Sequence, residues 1–85
     1  MNNEIIRVFG VGWCGDCLRT RRFLDKNGVA YQWIDIDRDA AAEQFVLRAN
    51  RGMRSVPTIH FPDGSLLVEP SNTALEDKIR QAEPA

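Results

Sequence analysis

Two cysteines three positions apart, Cys14 and Cys17 in Trp13-Cys14-Gly15-Asp16-Cys17, are the residues of this chain best suited to chemistry. A thiol pair at this spacing, placed where a strand hands over to a helix, is a thiol–disulfide redox signature. The apolar run Ile5-Ile6-Arg7-Val8-Phe9 precedes the pair, and a helix-like run follows it. Backbone N–H groups at a helix start lack partners inside the helix and carry partial positive charge. A cysteine set there gives up its proton more easily, and the thiolate is the attacking species. Cys14 precedes the helix and is expected to be exposed, which makes it the expected nucleophile. Cys17 falls on the inward stripe of the helix and is the expected resolving or modulating thiol. Asp16, between them, opposes a thiolate through its own negative charge. Arg19 would offset Asp16 if its side chain folds back toward the motif.

Length and composition bound what this pair can serve. Eighty-five residues give room for one domain, and a chain this short buries only around two-thirds of its unfolded surface. A formal charge of −1 argues against nucleic acid as a main partner, because phosphate binding rests on a basic excess. No apolar run approaches the roughly 20 residues that span a bilayer. Met1-Asn2-Asn3-Glu4 lacks the basic-then-apolar layout of a secretory signal. A cytoplasmic location is therefore expected, with no membrane partner. Thiols are kept reduced there, and a lone cysteine pair is more often catalytic than structural.

The elements that must position the pair can be read along the chain. Glu4–Phe9 is rich in β-branched residues and reads as a strand, with Gly10, Val11 and Gly12 as a short loop. Gly15 to Lys26 is helical, with Cys17, Thr20, Phe23 and Leu24 on one face, and Asn27-Gly28 supplies a left-handed exit. Ala30–Ile36 reads as a second strand, with Ile34 and Ile36 on one face and Tyr31 and Trp33 on the other. Asp37 to about Asn50 is a second helix with Ala42, Phe45, Val46 and Ala49 as its buried stripe; Arg51-Gly52 closes it. Pro57–Phe61 and Ser65–Glu69 flank Pro62-Asp63-Gly64, whose Asp-Gly step favours a hairpin. Ser71 is the expected N-cap of a last helix striped by Leu75, Ile79 and Ala82. Strand–helix–strand at the front implies a parallel pair with a right-handed crossover, and the hairpin implies antiparallel additions.

This order of elements, Trp13–Cys17 and Ser55-Val56-Pro57-Thr58 together resemble the thioredoxin superfamily in its compact glutaredoxin-like branch, over about residues 4–82. The resemblance implies an α/β thioredoxin-like (glutaredoxin-type) fold over residues 1–85: β-α-β-α-β-β-α, a four-stranded mixed sheet with helices on both faces. Pro57 would be the cis-proline facing the cysteines, with the Val56 backbone able to pair with an extended substrate. A trans proline merely opening a strand is the plainer alternative. Within the branch, Trp13-Cys14-Gly15-x-Cys17-Leu18-Arg19, Ala30-Tyr31, Ile34-Asp35-Ile36, Ala41–Val46, Asp63-Gly64-Ser65 and Pro70-Ser71 look like the mycoredoxins, which reduce mixed disulfides of mycothiol. Glutathione-binding relatives usually carry a lysine three residues before the first cysteine, where this chain has Val11. They also carry a Gly-Gly…Asp segment where this chain has Glu69-Pro70-Ser71-Asn72. Mycothiol, a sugar-linked cysteine without glutathione's two carboxylates, fits those losses better. Asp16 departs from the tyrosine usual in mycoredoxins.

The expected substrate contacts are therefore Trp13, Val56, Pro57, Ser71 and Asn72, with Asp16 and Arg19 tuning the thiols. No bound cofactor is expected; mycothiol, or another low-molecular-weight thiol, is the co-substrate. Mixed-disulfide proteins are the clients, and the chain is expected to be a monomer. Other readings stand beside this one: a glutathione-dependent enzyme, a dithiol donor to ribonucleotide reductase reduced by a flavoprotein, or a module holding metal or an iron–sulfur cluster through Cys14. A closed zinc site is disfavoured because His60 alone adds a conventional ligand to the cysteines. Trp13 can equally be read as core, His60 as an ordinary strand residue, and Tyr31 and Trp33 as packing beneath a helix. Arg19, Arg22 and Lys26 make a basic stripe that reads first as a solvated face and second as a dock for an acidic protein. Arg51 and Arg54 lie closer to Val56-Pro57 and to any substrate there.

Overall fold

The computed structural model describes residues 5–82. The expected signal-free N-terminus and the start of the first strand at Glu4 lie outside that range. The element order is β1 (Ile6–Gly10), α1 (Gly15–Lys26), β2 (Tyr31–Asp35), α2 (Ala40–Ala49), β3 (Thr58–His60), β4 (Leu66–Val68) and α3 (Asn72–Ala82). The strands form one sheet in the order β2-β1-β3-β4. β1 runs parallel to β2, and β3 is antiparallel to both β1 and β4. The sheet is thus mixed and four-stranded, as the sequence implies.

Successive strand residues face opposite sides of a sheet, and the core divides accordingly. Val8, Ile59 and Phe61 meet Leu24 of α1 and Leu75 of α3 on one face. Phe9, Val11 and Ile36 meet Ala42 and Val46 of α2 on the other. Tyr31 and Trp33 pack with the first cluster and Ile34 with the second, as the alternation predicts. Leu24 and Leu75 are fully buried, and each such side chain contributes about 1.5–3 kcal/mol relative to exposure.

Element boundaries differ from the sequence reading at several places. Gly10 is not loop: it extends β1 and sits opposite Asp35 of β2. Val11 is buried in the second cluster. β2 is shorter at both ends than Ala30–Ile36. The hairpin strands likewise lose Pro57, Phe61, Ser65 and Glu69 to the flanking turns. The second helix begins at Ala40 rather than Asp37, because Asp39 is the residue that caps it, its Oδ1 accepting from the Ala42 N–H at 3.0 Å. Ser71 caps α3 as expected, its Oγ accepting from the Ala74 N–H at 3.1 Å. The positive φ of Arg51 (56°) and Gly52 (88°) turns the chain out of α2.

The register assembles one edge of the sheet. Phe9 pairs with Thr58, and Thr58 with Val68, while Gly10 pairs with Asp35. The segments beyond those pairs, namely Val11–Trp13, Ile36-Asp37, Val56-Pro57 and Glu69-Pro70, therefore all leave the sheet at the same end. The cysteine motif stands there.

Candidate active site

Cys14 is the N-cap of α1 and has extended backbone angles (φ −94°, ψ 121°). Its Sγ accepts the Cys17 N–H at 3.2 Å, and its carbonyl accepts from the Leu18 N–H at 3.1 Å. The sulfur takes the place that a serine or aspartate oxygen occupies in ordinary caps, at the end of the helix where negative charge is favoured. Cys14 is half-buried rather than exposed, because it packs against the cluster of Phe9 and Val11.

Cys17 lies one turn on and faces inward, 1% exposed. Burial in the first place, then the contact with Cys14, pushes its thiol up to about 12 from an ordinary 9.0. The surface beneath it is tightly built. A Cβ on Gly10 would come within 2.6 Å of Cys17 Sγ and 2.8 Å of the Trp33 ring, so only glycine fits at that point of β1. Arg21 covers Trp33 with its guanidinium 4.2 Å from the ring. Thr20, on the same face of α1, is buried with its hydroxyl unpartnered.

Two polar clusters flank the thiols. On one side, Trp13 is 75% exposed and donates its indole N–H to Asp37 Oδ2 at 3.0 Å. Asp37 also pairs with Arg54 Nη2, and Arg54 Nε donates to Glu43 Oε2 at 2.7 Å. Arg54, and after it Trp13, hold the Asp37 carboxyl below its usual range. On the other side, Arg19 Nη1 donates to Asn72 Oδ1 at 2.7 Å and Nη2 to the Pro70 carbonyl at 3.1 Å. Asp16 stands 3.5 Å from the same guanidinium, so Arg19 does fold back toward the motif.

The Val56–Pro57 peptide is cis, as the resemblance implies. The Pro57 carbonyl accepts from the Glu69 N–H at 2.8 Å, which ties this segment to the one entering α3. Thr58 Oγ1 donates to the Ser55 carbonyl at 2.8 Å and accepts from Asn50 Nδ2 at 3.1 Å, bracing the segment from α2. Glu69 is exposed, and Ser71 is occupied as a cap.

Of the residues singled out from sequence, Trp13, Cys14, Asp16, Cys17 and Arg19 gather at the start of α1, and Arg19 brings Pro70 and Asn72 to them. Val56 packs against the same cluster as Cys14. Arg54 is engaged by two carboxylates and Arg51 is exposed. His60 is half-buried edge-on to Phe45. Among the described residues, no group of three or more His, Cys, Asp or Glu could hold a metal ion, and no helix is long and apolar enough to cross a membrane. Sequence reasoning missed Gly10, Asp37 and Glu43. Gly10, standing between an apolar strand and the motif, carried a readable signal; the partners of Asp37 and Glu43 are brought in only by folding.

Comparison with known proteins agrees with this geometry. The model of the glutaredoxin family matches residues 6–66. A Mycobacterium tuberculosis protein provisionally named a glutaredoxin is 40% identical over 79 residues, covering 93% of this chain and 94% of that protein. Mycoredoxin 1 of Corynebacterium glutamicum is 34% identical over 65 residues, 76% of this chain and 80% of that protein. The crystal structure of the thioredoxin-like protein BC3987 superposes with a TM-score of 0.74 at 30% identity, covering 85% of this chain and 96% of that one. With its capped cysteine pair on a thioredoxin-like sheet, the chain belongs to the glutaredoxin family of thiol–disulfide oxidoreductases.

Proposed function

We propose that the protein reduces mixed disulfides between proteins and a low-molecular-weight thiol, with Cys14 as nucleophile and mycothiol as the preferred thiol. The observation that carries the reading is the inequality of the two sulfurs: Cys14 caps a helix at the surface, whereas Cys17 is sealed beneath it. In the first step the Cys14 thiolate attacks the small-thiol sulfur of the mixed disulfide. That S–S bond breaks, the client leaves as a thiolate that takes a proton from water, and Cys14 holds the small thiol as a new disulfide. A second small-thiol thiolate then attacks this bond at the bound small-thiol sulfur. The two small thiols depart as the symmetric disulfide, and the Cys14 thiolate is restored.

Cys17 is poorly suited to clearing Cys14 at neutral pH. Exchange needs a thiolate, and burial keeps Cys17 protonated. The contribution of Cys14 to that shift is lost once Cys14 is in a disulfide, but burial, the larger cause, remains. This favours the small-thiol route over an internal disulfide.

The choice of thiol is supported by what surrounds the site. Val11, at the position of the glutathione-binding lysine, is 1% exposed and part of the core. Glu69 adds a carboxylate to the segment entering α3, where it would repel a carboxylate ligand. The relative from Corynebacterium glutamicum carries the name mycoredoxin. The test is reduction of one mixed-disulfide substrate with mycothiol, glutathione or a thioredoxin reductase supplied in turn. Mycothiol should give turnover about tenfold above glutathione, the effect of roughly one charge-assisted contact. Equal or better turnover with glutathione would sink the preference. Turnover with the reductase alone would replace the small-thiol cycle by a dithiol one.

A further inference from the structure

We infer that Arg19 is a positioning residue that sets the wall of the small-thiol subsite by holding the β4–α3 segment against the cysteine helix; this rests on the small-thiol reading above. Arg19 leaves α1 just past Cys17, and its two terminal nitrogens grip separate points of a segment distant in sequence, Asn72 Oδ1 at 2.7 Å and the Pro70 carbonyl at 3.1 Å. Asp16, the acidic residue between the cysteines, stands 3.5 Å from the same guanidinium and orients it. The negative charge of Asp16 is thereby turned toward Arg19 instead of standing alone beside Cys14. The held segment is also fixed from the sheet side, where the Glu69 N–H donates to the Pro57 carbonyl at 2.8 Å. Glu69 itself sits at φ 49°, a left-handed conformation that an L side chain adopts at a cost. A segment so shaped needs anchors on both sides, and Arg19 is the one from α1.

With Asn72 Oδ1 accepting from Arg19, the Nδ2 donors of the same amide have no hydrogen-bond partner among the described residues. Ser71 Oγ, accepting from the Ala74 N–H, keeps its own hydroxyl proton to donate. Glu69 adds an acceptor. Arg19, the cation of this wall, is already engaged by Asp16, Asn72 and Pro70. Neutral donors beside the Glu69 carboxylate suit the hydroxyl groups of a sugar-linked thiol, whereas a carboxylate would meet the like charge of Glu69. A lysine could carry the charge of Arg19 but not its planar two-point grip.

The test compares reduced wild-type protein with Arg19→Ala and Arg19→Lys in two readouts. The first is the rate of attack on mycothiol disulfide against that on diethyl disulfide, a small disulfide with no hydroxyl or charged group for the wall to recognise. Arg19→Ala should lower the first rate by at least about fivefold more than the second, the scale of one lost hydrogen bond, and Arg19→Lys should recover no more than part of the difference. An equal loss on both disulfides, or full recovery by lysine, would mean that Arg19 acts by charge on the sulfur, and the inference fails. The second readout is amide exchange at Ala74 and Leu75, which needs no thiol. Exchange should quicken severalfold in Arg19→Ala; unchanged exchange overturns the tether. If wild-type protein does not distinguish the two disulfides, the mycothiol reading falls, and the exchange arm still decides the tether.

Discussion

At Cys14 and Cys17 the same side chain is placed in two environments one helical turn apart. Cys14 sulfur receives a backbone N–H and borders the surface, while Cys17 sulfur faces Gly10 and Trp33. A thiol whose folded pKa lies above its unfolded value adds stability that is complete below the unfolded pKa and is lost as pH climbs toward the folded one. For Cys17 that window opens near 9.0 and runs to about 12. Stability of the reduced protein should therefore fall more steeply above pH 9 than that of Cys17→Ser, with a ceiling of about 1.4 kcal/mol per pH unit for one group. Chemical denaturation across this range measures it. Parallel curves for the two proteins would show that burial does not hold the Cys17 proton.

At the scale of elements, the site depends on β1 and α1 meeting without a side chain between them. A methyl group on Gly10 would lie 2.6 Å from Cys17 Sγ and 2.8 Å from Trp33, and both neighbours are packed. Gly10→Ala should therefore cost about 1–3 kcal/mol through overpacking and raise the reactivity of Cys17 toward alkylating reagents as the helix start shifts. A stability loss under about 0.5 kcal/mol, the ordinary range of a neutral surface change, would count against this contact. The helix start at Ala40 shows where element boundaries stop being legible. Asp37 and Asp39 are equally good caps by residue type. Folding assigns Asp37 to Arg54 and Trp13, leaving Asp39 to cap α2. The strand faces were legible because Val8 and Phe9, or Trp33 and Ile34, alternate between two apolar clusters. The cap at Ser71 and the placement of Cys14 just before α1 were legible because they rest on near neighbours in the chain.

Over the whole molecule, segments distant in sequence leave one end of a small sheet and surround the cysteine pair. The pair and Val56-Pro57 could be joined by resemblance. Arg19 with Asn72, or Trp13 with Asp37, could not, since nothing local in either partner specifies the other. Those long-range polar contacts fix the walls of the site, while the apolar alternation fixes the sheet that carries them. The proposed cycle assigns bond exchange to the one sulfur at the rim and gives the buried sulfur no obligatory step. Its most direct test is the reduction of a protein–mycothiol mixed disulfide by Cys14→Ser and by Cys17→Ser, with mycothiol in excess. Cys14→Ser should lose at least about a hundredfold in rate, the scale of a missing nucleophile, and Cys17→Ser should keep most of the wild-type rate. Activity that survives in Cys14→Ser and disappears in Cys17→Ser would contradict the assignment of Cys14 as the attacking thiol.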